Sequence, residues 1–197
     1  GGNSARDGRR IPAEQFVPQL LAYWKKPYYV ALLSAAELHG AAHQRPQVFQ
    51  VMLERNRRPV VCGEVRVEFA VRQDMNGTPV VEQNTPRGVL RLATPEATAF
   101  ELVGYQDRCG GLDNVATVLA ELAERINDAA LEAEARRSPV AWVQRLGYLL
   151  ELVGCENHAV ILRPFVEHVE DETPLVRSQP RRGVPRAGQS AVQPYLP

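Results

Sequence analysis

The sequence contains very little lysine: Lys25 and Lys26 are the only two, and arginine supplies nearly all of the positive charge. Its three cysteines lie far apart and form no C-x-x-C pair, so their spacing indicates neither a zinc site nor a disulfide framework. No apolar run approaches about 18 residues, so we expect no membrane span. Residues 1–10 are polar and lack the apolar core of a signal peptide. We therefore expect a cytoplasmic protein that needs no metal or other cofactor.

Charge balance and length set further bounds. Lys and Arg together number 23, as do Asp and Glu, so no net charge draws the chain to nucleic acid or to a membrane. A chain of 197 residues, 45% of them hydrophobic, is long enough for one domain with a core. We expect a flexible segment over residues 1–10 and a folded domain over residues 11–169. Prolines and arginines punctuate residues 170–197, which predicts an extended tail.

Two helices are predicted in the first forty residues. The first opens at Ile11–Glu14, where Pro12 suits the first turn of a helix, and it ends before Pro27. The second covers Tyr28–Gly40, and apolar residues surround most of it, which predicts burial on several sides. Glycine at its end suits a helix stop. The apolar stripe of the first helix is predicted to consist of Phe16, Leu20, Tyr23 and Trp24.

This pair of helices invites a helix-turn-helix interpretation, which we reject. A recognition helix presents Arg, Lys, Asn or Gln to the edges of bases. The second predicted helix offers only Tyr, Ser, Glu and one His as polar side chains. The pair is therefore predicted to belong to the core and not to read DNA.

Short strands separated by turns follow the helices. Pro46 fixes a turn, after which apolar residues alternate in a first strand. Gly63 stands at the turn of a tight hairpin, and Pro86 stands in the turn between two later strands. These segments predict a mostly antiparallel sheet of about five strands. The predicted strands are Gln47–Leu53, Val60–Cys62, Glu64–Arg72, Val80–Glu82 and Gly88–Leu92.

The second half of the chain is predicted to be helical. Thr94 suits an N-cap, and Pro95 follows at the first helical position. The pair Gly110–Gly111 breaks the chain, and apolar residues then recur at steps of three and four. The predicted fold class is α+β. A sheet packs with a buried N-terminal helix pair and a C-terminal helical bundle, and a Pro/Arg-rich tail extends from it.

Three blocks of the sequence carry a resemblance to a known family. They are Tyr28–Gln44 with Pro46–Val51, then Thr94–Val103, then Gly110–Leu122. From about Ile11 to Val153 the chain resembles the C-terminal region of the AbiEi family, the antitoxins and transcriptional regulators of bacterial type IV toxin–antitoxin pairs. The residues that we assign to the family-signature core are Tyr28, Leu32, Leu33, Leu38, His39, Gly40, Pro46, Phe49, Thr94, Pro95 and Glu96.

The resemblance implies an antitoxin of an abortive-infection system, with no active site. It implies that the protein antagonises a nucleotidyltransferase-type toxin, that a stable complex is not required, and that the protein takes part in repressing its own operon. Family members carry a winged helix-turn-helix ahead of the matched region, and this sequence leaves no room for one before Ile11. Operator DNA is therefore expected as a partner where such a domain is present.

Two groups of residues have spacings typical of metal sites. His39 and His43 are four apart, but Gly40 stands where a metalloprotease carries its general-base Glu, so local hydrogen bonds are the favoured role. Glu64 and Glu68 share a strand face, as in metal-dependent nucleases, yet no lysine accompanies them. A remnant nuclease-like enzyme is the alternative to the antitoxin hypothesis, and a protein-interaction module is a third.

Arginines are the best candidates for a functional site. Three of them share one loop, and two more stand in the tail. Guanidinium groups on loops suit contacts with phosphate. We predict that they contact the phosphates of DNA rather than read its bases, and a solvated loop is the alternative interpretation. The predicted contacts are Arg55, Arg57, Arg58, Arg181 and Arg182.

Overall fold

The structure is a computed structural model that describes residues 12–41 and 48–166. Within these ranges the chain forms seven α-helices and one mixed sheet of six strands, so the predicted α+β class is confirmed. The helices are α1 (Ala13–Trp24), α2 (Leu32–Leu38), α3 (Pro95–Gly104), α4 (Leu112–Leu122), α5 (Asp128–Ala135), α6 (Val140–Leu152) and α7 (Glu156–Leu162). The strands are β1 (Tyr29–Val30), β2 (Val48–Leu53), β3 (Val60–Cys62), β4 (Val65–Val71), β5 (Val80–Thr85) and β6 (Gly88–Ala93).

The described ranges leave out three of the predicted features. The flexible segment over residues 1–10, the turn at Pro46 and the tail over residues 170–197 all lie outside them. Within the described ranges, no helix is both long enough and apolar enough to cross a membrane.

The sheet has the strand order β3-β4-β2-β1-β6-β5. Strand β1 pairs antiparallel with β2, as β3 does with β4 and β5 with β6. The pairs β1–β6 and β2–β4 are parallel. The mostly antiparallel sheet is thus confirmed, with one more strand than expected, and the added strand is β1.

The prediction of one helix over Tyr28–Gly40 is wrong at its start. Val30 pairs with Val51 and Leu92 in the middle of the sheet, and helix α2 begins only at Leu32. Aromatic and β-branched residues such as Tyr29 and Val30 suit a strand, and a short apolar run does not separate a buried strand from a buried helix. The predicted stop is confirmed, because Gly40 has a φ of 82°.

Two helices that were predicted as a pair lie on opposite faces of the sheet. Val30, Val51 and Phe69 are aligned on three adjacent strands and therefore share one face. On that face Phe69 contacts Trp24 of α1, with ring centres 5.6 Å apart. Tyr29 points to the other face, where α2 packs on β2 and α3 packs on α2 and on the later helices. The core therefore has three layers, with the helical bundle on one side.

The buried face of α1 differs from the predicted stripe. Val17 and Leu21 are fully buried, whereas Tyr23 is 84% exposed. Phe16, Leu20 and Trp24 are partly buried. The helix presents two apolar lines one residue apart, and spacing alone does not tell which one faces the sheet. The line through Val17 and Leu21 does so.

The predicted start of α3 is confirmed. The side chain of Thr94 accepts a hydrogen bond from the backbone N–H of Ala97 at 3.3 Å, and Pro95 is the first helical residue. This pairing satisfies one of the backbone donors that a helix N-terminus leaves open. The chain break before α4 is also confirmed, because Gly110 and Gly111 have φ values of 79° and 89°.

Candidate functional site

The predicted arginine loop joins β2 to β3, and Arg55, Arg57 and Arg58 are all exposed on it. One of them is held against the first helix. The guanidinium carbon of Arg57 lies 4.2 Å from the centre of the Trp24 ring, which is a cation–π contact. This contact fixes the loop relative to the C-terminal end of α1.

An open cleft of about 370 Å³ lies beside this loop, and we call it the arginine cleft. Arg57 and Arg58 line it together with Arg108 from the 3-10 turn before α4. Arg55 is not among the residues that line it. The structure thus brings together two of the three predicted arginines of this loop, with a third cation that the sequence did not indicate.

Arg108 is positioned by contacts with the sheet. Its Nη1 donates to the carbonyl oxygen of Phe69 at 3.4 Å, and its own carbonyl accepts a bond from Nε2 of Gln50 at 2.8 Å. Gln50 is 7% exposed, and its Oε1 accepts from the backbone N–H of Leu33 at 3.0 Å. A glutamine inside an otherwise apolar strand was the one sequence signal for this contact, because a buried amide needs partners.

The acidic residues of β4 do not converge on a metal-like site. Glu68 lines the arginine cleft, and its Oε1 accepts a bond from Nε of Arg66 at 2.8 Å. Glu64 is exposed in the turn between β3 and β4, just before this strand begins. Across the described ranges, no group of three or more His, Cys, Asp or Glu residues could hold a metal ion. The charge of the cleft is therefore mainly that of its three guanidinium groups.

A buried carboxyl group lies on the helical side of the sheet. Glu101 of α3 is fully buried, and its Oε1 accepts from the Tyr29 hydroxyl at 2.6 Å and from Nη1 of Arg72 at 3.1 Å. Burial raises the pKa of Glu101 to about 7, although the hydrogen bond from Tyr29 and the charge of Arg72 oppose the shift. Burial, followed by the Glu101 charge, raises the pKa of Tyr29 as well.

A second buried carboxyl group extends this cluster to α5. Glu134 is 1% exposed and forms an ion pair with Arg137, which also donates to the carbonyl of Gly77. Burial raises the pKa of Glu134, and the charge of Arg137 opposes this. The cluster connects the sheet with α3 and α5. Its two carboxyl groups are buried, and their contacts join these layers.

Comparison with known proteins decides the family. The model of the AbiEi antitoxin C-terminal domain matches residues 29–152, which is more than half of the chain. The chain belongs to the AbiEi antitoxin family. The matched region begins with β1 and runs to the end of α6, so the AbiEi domain includes every strand of the sheet. No curated protein matches the sequence.

The AbiEi chain is also similar to a solved structure. The crystal structure of the RV2827C protein from Mycobacterium tuberculosis aligns with a TM-score of 0.55 at 19% sequence identity. The alignment covers 82% of this chain and 60% of the RV2827C chain. At this identity the likeness concerns the fold, and the present chain spans less than two thirds of the protein that it matches.

The residues that we predicted as the family-signature core, apart from Pro46, which lies outside the described residues, make contacts within the fold and do not line the arginine cleft. Thr94 and Pro95 start α3, and Oε1 of Glu96 accepts from the backbone N–H of Asn127 at 2.8 Å. The Tyr28 hydroxyl donates to the carbonyl of Val89 at 3.3 Å. Leu32 and Phe49 are buried, Leu33 and Leu38 are partly buried, and Gly40 ends the turn after α2.

His39 makes a contact that differs from the predicted one. Its Nε2 lies 2.7 Å from the carbonyl oxygen of Ala93, so it joins the end of α2 to the end of β6. We predicted a local hydrogen bond for His39, and the contact that it makes is instead with a residue far along the chain. His43, the second histidine of the pair, lies outside the described residues.

Proposed function

We propose that this chain counteracts a nucleotidyltransferase-type toxin as a non-enzymatic, cytoplasmic antitoxin. The observation that carries the proposal is the family match over residues 29–152, which spans the sheet and most of the helical bundle. We take residues 11–169 as the antitoxin domain, with residues 1–10 and 170–197 as flanking segments.

Growth rescue tests the antitoxin proposal. The chain is expressed alone, in bacteria that also express the toxin encoded beside its gene. We expect growth to recover to the level of cells without toxin. Continued arrest, with both proteins folded and present in equal amounts, would contradict the proposal that this chain suffices.

We also propose that the arginine cleft contacts phosphates of operator DNA during autorepression. Arg57, Arg58 and Arg108 place three guanidinium groups around one open cleft, and Arg55 adds a fourth on the same loop. Guanidinium groups form two parallel hydrogen bonds with phosphate oxygens, which favours this ligand. The predicted contacts Arg181 and Arg182 belong to the same proposal, and both lie outside the described residues.

Replacing Arg55, Arg57 and Arg58 with alanine is expected to weaken binding to a promoter duplex and to flatten its dependence on salt. The slope of log K against log salt concentration is negative, and each lost phosphate contact makes it shallower by about 0.9. Three lost contacts therefore make it shallower by about 3. Fluorescence anisotropy between about 50 and 200 mM salt measures this slope.

A control variant carries alanine at Arg91, Arg125 and Arg136, which are exposed elsewhere. It has the same net charge as the first variant, and we expect its salt slope to stay near that of the unaltered protein. An equal fall in both variants would mean that general charge, and not the arginine cleft, binds the DNA.

A further inference from the structure

A second groove, of about 410 Å³, lies between α1 and β6, and we call it the α1–β6 groove. One part of its wall is apolar and one part is cationic. The apolar part includes the exposed residues Ala22, Pro27 and Val89, and the cationic part consists of Lys25, Lys26 and Arg87. Val89 is 44% exposed, so the apolar wall is open to a ligand.

The groove is built by close contacts between the helix and the hairpin. Gly88 has a φ of 139°, and a Cβ atom there would lie 3.4 Å from Cβ of Pro18, so the β5–β6 turn closely approaches α1. The hydrogen bond from the Tyr28 hydroxyl to the carbonyl of Val89 ties the chain after α1 to β6. These two contacts join the helix side and the hairpin side of the groove.

Three exposed cations stand along this groove. Lys25 ends α1 with a φ of 51°, and this left-handed turn leads directly into Lys26. They are the only lysines of the sequence. Among the described residues, no side chain forms an ion pair with Lys25, Lys26 or Arg87, and no acidic residue lines the groove. The site therefore offers positive charge beside an apolar wall.

We propose that the α1–β6 groove binds a segment of a partner protein in which Asp or Glu residues alternate with apolar residues. Apolar side chains of the segment pack on the exposed residues Ala22, Pro27 and Val89, and its carboxylates pair with the three cations. Complementary charge gives such a contact its specificity and its rate of association, and apolar burial supplies affinity.

Nucleic acid fits this groove less well than an acidic peptide does. Bases bind to exposed aromatic rings, and the one aromatic residue that lines the groove, Tyr28, is 8% exposed. The arginine cleft differs from the groove in its cations: all three are guanidinium groups, which suit phosphate, whereas two of the three cations of the groove are lysines. The peptide proposal does not depend on the DNA proposal, since the two sites use different residues.

The test uses the full chain and a fluorescent ten-residue peptide of alternating Glu and Leu. We expect saturable binding by fluorescence anisotropy, with amide chemical-shift changes at Lys26 and Val89. Lys26→Glu is expected to weaken binding about tenfold, because it places like charges opposite each other. The matched control is Arg125→Glu, which makes the same change of charge on an exposed residue of the helical layer and leaves binding unchanged.

Further arms separate the possible outcomes. A Gln–Leu peptide and a Glu–Gln peptide each lack one half of the predicted chemistry, and both are expected to bind more weakly. The proposal is overturned if no peptide binds, if Arg125→Glu weakens binding as much as Lys26→Glu, or if a ten-nucleotide thymidine strand displaces the peptide from the groove. A variant with alanine at Arg55, Arg57 and Arg58 must keep its affinity for the peptide.

Discussion

Replacing Gly104 with alanine is expected to destabilise the protein by about 2 kcal/mol or more. A Cβ atom at this position of α3 would lie 2.3 Å from Cε2 and Cζ2 of Trp142. The ring cannot move without disturbing its edge contact with Tyr105, at 5.6 Å between centres, and its stacking with Arg72. Alanine improves helix propensity by about 1 kcal/mol, which offsets only part of this cost.

Urea unfolding of a double-mutant cycle measures the clash. Trp142→Leu removes the ring, and Gly104→Ala is then expected to be neutral or slightly stabilising. A contact between the two positions predicts such non-additivity. If Gly104→Ala costs the same free energy with and without Trp142, the close approach of α3 and α6 does not explain the glycine.

The free energy of unfolding is expected to fall as the pH rises from about 4.5 to about 7, because of Glu101. The pKa of Glu101 is about 7 in the folded protein, against 4.5 for an unperturbed glutamic acid side chain. The unfolded chain therefore loses this proton first, and the folded state keeps it at a cost that grows with pH. The contribution of Glu101 to the free energy of unfolding is complete below the pKa that its carboxyl has in the unfolded chain. This contribution, about 3 kcal/mol in total, is lost as the pH passes about 7.

Glu101→Gln removes the titrating group, so the variant is expected to lose much less stability than the unaltered protein between pH 5 and pH 8. Urea unfolding at four pH values measures both slopes. The charged and titratable groups around Glu101 are Tyr29, Arg72, Tyr105, Cys109 and Glu134. Glu132→Gln changes an exposed carboxyl of α5 and serves as the control with an unaltered slope. Parallel slopes in Glu101→Gln and the unaltered protein would refute the assignment.

The sequence predicts best those elements whose cause is local. Thr94 and Pro95 are adjacent residues that fix the start of α3 by their own chemistry. Gly63 likewise stands between β3 and β4 and has a φ of 61°, which explains the predicted hairpin. These features depend on a few neighbouring residues, so a single sequence contains the information.

Strand β1 could not be predicted in this way. Tyr29 and Val30 extend a run of apolar residues into α2, and such a run does not by itself separate a buried strand from a buried helix. Their strand conformation depends on pairing with Met52, Val51 and Leu92, which lie far along the chain. Tertiary pairing therefore overrides the local pattern here.

The arginine cleft was predictable only in part, for the same reason. Arg57 and Arg58 are neighbours in sequence and were recognised from their shared loop. Arg108 belongs to a turn on the far side of the sheet, and it reaches the cleft through its bonds with Gln50 and Phe69. No spacing rule connects such positions, so the cleft is visible only after the strands are paired.

Strand β1 has a consequence for how the protein folds. The units β3–β4–β2 and β6–β5 meet only through its two residues. The hairpin β5–β6 closes a very short loop, whereas the pairing of Val30 with Leu92 closes a long one. Loop closure costs more entropy as the loop lengthens, and non-local pairing slows folding. We therefore expect the step that joins the two halves to be slow, and either half alone to expose an unpaired, aggregation-prone edge.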